Sequence, residues 1–131
     1  MTQNPFDTVV RYVDAFNGAD VNAMASECAD VMQILDGMAP HVWVGPAATR
    51  DWWRDVLTEG EHLGASDYRI SLEEPRHVDV TGDCAYVVVP ATMTFDLRGD
   101  RRTQTGSTFT VALRRSGGAW LIAAWSWSKG A

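Results

Sequence analysis

A chain of 131 residues with 46% hydrophobic and 21% charged content is most simply one domain, residues 1–131, long enough to bury a core. Its net charge of −6 argues against a nucleic-acid partner and against anionic membranes, since phosphate binding needs a basic surface. No apolar run approaches a membrane span, and the leading Met-Thr-Gln-Asn-Pro lacks the basic and apolar regions of a leader. The expectation is therefore a cytoplasmic protein with no membrane association.

Pro5 to Asn17 reads as a first helix, because Phe6, Val9, Val10, Val13 and Phe16 recur at three- and four-residue spacing. Gly18 is a stop signal. Asp20 then reads as an N-cap, with a short second helix over Val21–Cys28. Asp30–Asp36 is a short strand, Gly37–His41 a loop, and Trp43-Val44 a short paired strand. Gly45-Pro46 opens a third helix with Pro in its first turn. That helix runs through Trp52 and Trp53 to about Glu61.

After Ala65 the period switches to two. Tyr68–Val80 is one strand or two, interrupted near Pro75. Cys84–Leu97 is a long strand in which Pro90 predicts a bulge or an edge. Arg98–Arg102 is a charged hairpin tip, Thr103–Arg115 a strand, Ser116–Gly118 a turn and Ala119–Ser128 the last strand. Short turns between long strands make an antiparallel meander. The fold class is α+β, with helices first and a twisted sheet after them.

Cys28 and Cys84 are isolated and read as reduced, one in a helix pattern and one in a strand pattern. His41, His62 and His77 are scattered without metal-ligand spacing. His41 lies near the expected pocket mouth, where it either assists acid–base chemistry or is a surface loop residue. No phosphate loop, dinucleotide motif or nucleophile elbow is present, so no cofactor and no metal are expected.

Chemistry is concentrated in the first third. Tyr12 lies on the amphipathic helix and Asp36 ends the strand Val31–Leu35. If the helix crosses that strand, a phenol and a carboxylate share one apolar pocket. The carboxylate is then a candidate general base and the phenol a candidate oxyanion donor. The plainer reading is that Asp36 starts an Asp-Gly turn and bonds its own backbone, while Tyr12 only packs its ring.

The order of elements resembles the cone-shaped fold of the nuclear transport factor 2-like superfamily over essentially the whole chain. Arg11-Tyr12-Val13-Asp14-Ala15-Phe16-Asn17-Gly18-Ala19-Asp20 resembles the helix of ketosteroid isomerase and SnoaL-like proteins whose Tyr donates to a substrate oxyanion. Asp36 then falls on the isomerase's proton-shuttling Asp, and Gly45–Arg50 resembles the start of the third helix. The resemblance implies N-terminal helices on a curved, mainly antiparallel sheet enclosing an apolar pocket. It implies proton transfer at Asp36 with oxyanion stabilisation by Tyr12. Two departures accompany it. Gly106–Ala112 holds no carboxylate where the isomerase keeps a protonated acid, and Trp53 stands where the isomerase has a Tyr.

Six tryptophans in so short a chain fill a core, line a pocket or make an interface. Phe16, Met32, Ile34, Trp43, Trp52 and Trp53 are the candidates to line a site for a small apolar or aromatic ligand. Trp43 is a possible lid. Trp125 and Trp127 alternate on the last strand, on one face with Ala123 and Leu121. If that face is inner, the two are pocket walls. If it is outer, it is a patch that implies pairing of sheets. A homodimer is expected, as in the families resembled. Two functions follow: a cofactor-independent isomerase or lyase acting on a small apolar carbonyl compound, or a non-catalytic ligand-binding or dimerisation module.

Overall fold

A computed structural model describes residues 4–130; Met1–Gln3, part of the leading segment read above, and Ala131 lie outside the described residues. Helix α1 spans Pro5–Asn17. Asn4 caps it by accepting the Phe6 N–H at 2.9 Å, and Pro5 takes the first turn, where a missing N–H costs nothing. Its buried stripe of Val9, Val13 and Phe16 turns onto the sheet, each side chain worth about 1.5–3 kcal/mol on full burial. Both ends of the helix are pinned. Thr8 Oγ1 donates to the Trp120 carbonyl at 3.0 Å. The Asn17 side chain pairs with Ile70 like a strand edge, accepting its N–H at 2.7 Å and donating to its carbonyl at 2.9 Å.

Helix α2 covers only Val21–Ser26, capped by Asp20. Cys28, expected inside it, begins strand β1 (Cys28–Leu35) instead. The last strand, β7 (Ala119–Ser128), captures this segment as a parallel partner, with the Ile122 N–H donating to the Glu27 carbonyl at 2.8 Å. Strand β2 (Val42–Val44) folds back on β1. Helix α3 (Ala48–Leu63) starts two residues after Pro46 and ends on left-handed Gly64 at φ 72°.

The Tyr68–Val80 region is two strands, β3 (Ala65–Leu72) and β4 (His77–Thr81), both paired to β5 (Cys84–Leu97). Pro90 sits on β5 where its neighbour changes from β4 to β3, so its missing N–H faces the gap between them. The irregularity expected at Pro90 falls next to it, between Ala91 and Met93, opposite a bulge at Gly106 in β6 (Asp100–Ser116). The single sheet runs in the order β2-β1-β7-β6-β5-β3, antiparallel except for β1–β7. Its inner face carries Val87, Val89, Phe109, Val111, Leu113 and Ile122 against the helices. The result is the curved α+β cone implied by the resemblance.

One parity differs from simple alternation. Ala123 is an extra residue in β7, because Ala112 pairs with Ala124 while Leu113 pairs with Ile122. The bulge puts Trp120 and Ile122, not Leu121 and Ala123, on the inner face with Trp125 and Trp127.

Candidate functional site

The open end of the cone holds a cavity of about 510 Å³, within the usual range for small-molecule sites. α1 supplies Tyr12 and Phe16. α3 supplies Trp52, Val56, Glu59 and Leu63, a single face at helical spacing. β7 supplies Trp125 and Trp127 by strand alternation, and Lys129 follows just past its end. Seven of the lining residues are aromatic, and Trp125 is their hub: its ring lies 5.0 Å from Trp52 at 90° and 5.3 Å from Phe109.

Tyr12 and Asp36 both line this cavity. The Trp125 indole donates to the buried Tyr12 hydroxyl at 2.9 Å. Indole N–H is only a donor, so the phenol oxygen is the acceptor there and that bond does not use the phenol's own hydrogen. Burial pushes the Tyr12 phenol well above the ordinary tyrosine range; the neighbouring Cys28 thiol adds to this, and hydrogen bonds to Trp125 and Thr49 only partly oppose it. Tyr12 is therefore a neutral hydrogen-bond donor at neutral pH, not a base. Burial likewise pushes the Cys28 thiol up to about 11, which leaves it inert behind the tyrosine.

Asp36 uses its two oxygens differently. Oδ1 accepts the Gly37 N–H at 2.8 Å, the Asp-Gly turn contact. Oδ2 accepts the Trp52 indole N–H at 2.9 Å. Each carboxylate oxygen keeps a lone pair for another partner. Because the two indoles pack edge to face, Asp36–Trp52–Trp125–Tyr12 is one braced unit. His41 is exposed, with Nδ1 at 3.1 Å from the Asp36 carbonyl, and its own N–H closes the loop on Met38. It braces the loop that carries Asp36 and does not line the cavity.

Of the side chains expected to line a site, the cavity takes Phe16 and Trp52. Met32 and Ile34 are buried in the core from the inner face of β1, outside the lining. Trp43 is no lid: its indole donates to Asp55 Oδ2 at 2.8 Å, tying β2 to α3. Trp53, a helical step of about 100° from Trp52, packs edge-on against Phe16 at 5.6 Å from outside the cavity. Trp125 and Trp127, read as pocket walls if their face is inner, line it, and so do Phe109, Tyr68, Met93 and Gln104, which were not singled out as site residues. Alternation along β7 was the signal for the tryptophans, but its face depended on the Ala123 bulge.

The model of the SnoaL-like domain matches residues 7–130. The chain belongs to the SnoaL-like family. Solved structures of the same fold include a ketosteroid isomerase-like protein from Erwinia carotovora atroseptica SCRI1043, at 22% identity and TM-score 0.74, covering 94% of this chain and 91% of that one. Hexachlorocyclohexane dehydrochlorinase LinA-type3 from Novosphingobium barchaimii LL02 aligns at 13% identity and TM-score 0.79, covering 94% of this chain and 82% of that one. Aln2 from a Streptomyces species aligns at 17% identity and TM-score 0.73, covering 95% and 86%. At these identities the likeness concerns the SnoaL-like fold alone. Among curated proteins the chain has no match.

Proposed function

We propose that this SnoaL-like chain is a cofactor-independent enzyme of the isomerase or lyase type that transfers a proton on a small apolar carbonyl compound. The observation that carries the reading is the braced unit: a carboxylate and a neutral phenol on one apolar cavity, each held by an indole N–H. Asp36 takes a proton from the carbon next to the carbonyl. The electron pair moves onto the carbonyl oxygen, which accepts the Tyr12 hydrogen bond. Asp36 then returns the proton at another carbon, giving isomerisation. Alternatively, the enolate expels a leaving group, giving elimination. Asp36 is placed to be the base because each of its oxygens accepts one N–H, which fixes the carboxylate and leaves a lone pair for the substrate proton.

A second reading, a ligand-binding or dimerisation module, is favoured by one contact: Oδ1 of Asp36 is engaged in an ordinary turn. Exposed Val31, Leu35, Val42 and Val44 share the outer face of β1 and β2, and we propose that this face takes part in a homodimer under either reading.

The test begins with a tryptophan-fluorescence titration against steroid-like, polyketide-like and phenolic carbonyl compounds, followed by a turnover assay on those that bind. Asp36→Asn is expected to lower turnover by about 10²–10⁴-fold or more while ligands still bind. Turnover that survives Asp36→Asn removes Asp36 as the base. Saturable binding without turnover of any compound favours the module.

A further inference from the structure

Lys129 is the only lysine of the chain and, among the described residues, the only cation lining the cavity. It lies one residue past the end of β7, at the next alternate position after Trp125 and Trp127, about 13 Å from Trp125 at the rise of an extended chain. Its backbone is held. The next residue, Gly130, donates its N–H to Ser107 Oγ at 3.3 Å, and Ser107 is itself buried. Gly130 lies so close to Thr105 and Gly106 that a Cβ there would sit 2.7 Å from the Gly106 carbonyl carbon. The base of the lysine side chain is thus fixed at the mouth, while its ammonium enters none of the ion pairs of the described residues.

Among the described residues the other charges of the lining are Asp36, on the loop after β1, and Glu59, on α3. Both repel an anion, so the mouth offers a negative group one attractive position, at Lys129. Between Lys129 and the Tyr12 hydroxyl the wall is aromatic, formed by Trp125, Trp127 and Phe109. We propose that the cavity selects ligands with an apolar, aromatic body bearing one carboxylate, which Lys129 anchors on the order of 10 Å from the carbonyl that reaches Tyr12. The proposal rests on the cavity and Tyr12 assignment of the function proposed above and narrows its substrate class.

A matched pair of ketones tests it: 2-acetylnaphthalene, which is neutral, and 6-acetyl-2-naphthoate, which adds the carboxylate at the far end. Calorimetric titration of the wild type at low salt is expected to give about tenfold tighter binding of the naphthoate, equivalent to about 1.4 kcal/mol. The preference should shrink as salt is added. Lys129→Gln should bring the two affinities together by weakening the naphthoate alone, and Lys129→Arg should keep most of the preference. Because Lys129 is exposed, both variants should fold. Reductive methylation with ¹³C-formaldehyde labels this lysine and the α-amino group, and the lysine resonance should move with the naphthoate only. A ketone that binds with no carboxylate preference, or a preference unchanged in Lys129→Gln, overturns the anchor and leaves the proposed function standing. Failure of both ketones to bind overturns the ligand cavity, and the anchor with it.

Discussion

The indole brace makes a quantitative prediction about the Trp125–Tyr12 pair. Trp125→Phe keeps an aromatic ring but removes the N–H that reaches the Tyr12 hydroxyl at 2.9 Å, with both residues buried. Leaving that oxygen one donor short costs about 1–2 kcal/mol. The change also removes about 40 Å³ of side chain, worth about 1 kcal/mol at about 24 cal/mol per Å³ of residual space. The single change therefore destabilises by about 2–3 kcal/mol, a drop of about 1–1.5 M in urea midpoint at an m-value of about 2 kcal/mol per M. Tyr12→Phe leaves the Trp125 indole N–H without its acceptor and costs about 1–3 kcal/mol. In the double variant neither group is orphaned, so the combined loss should fall short of the sum by about 1 kcal/mol. Urea unfolding of the four proteins, followed by circular dichroism at constant m, measures this coupling. Losses that add within about 0.3–0.5 kcal/mol would show that the hydrogen bond contributes no stability and would refute the brace.

Other expectations follow from the same geometry. Tyr12→Phe should lower turnover by about 10²–10³-fold with little change in substrate affinity, measured as kcat against KM, if the phenol serves the oxyanion. At pH 8 a thiol reagent should titrate one fast equivalent, exposed Cys84, because Cys28 is shielded and its thiol is pushed up to about 11; two equal rates would contradict that burial. Both Cys28 and Tyr12 have raised values in the folded protein, so the unfolded chain loses these protons first. Stability should therefore fall as pH rises above about 9, the ordinary thiol value. Cys28→Ala should flatten the lower part of that fall in unfolding curves. Gly60→Ala places a Cβ 2.7 Å from the Ala65 carbonyl oxygen, and the forced shift of the α3–β3 corner should cost about 1–3 kcal/mol in thermal or urea unfolding.

Local chemistry was legible in the sequence wherever one segment decided its own state. Helix α1 follows from the spacing of Val9, Val13 and Phe16 and from Pro5 and Gly18 at its ends. The meander follows from period-two strands joined by short turns, and the family likeness of the first helix brought Tyr12 and Asp36 forward together. What the sequence left open depended on partners distant in the chain. Cys28 reads as helix until β7 supplies a parallel neighbour, and a strand pairing more than ninety residues away carries no local signal. The face of Trp125 and Trp127 turned on a single unpaired residue, Ala123, which reverses the parity of everything before it. Trp43 and Trp52 are alike as residues, yet one ties β2 to Asp55 and the other holds Asp36 at the cavity, because only three-dimensional packing decides which carboxylate each indole meets. The sequence determined the elements and their buried faces through periodicity and turn chemistry. The tertiary structure decided which polar atoms face one another, since hydrogen bonds between remote elements exist only once the sheet has curved around the helices.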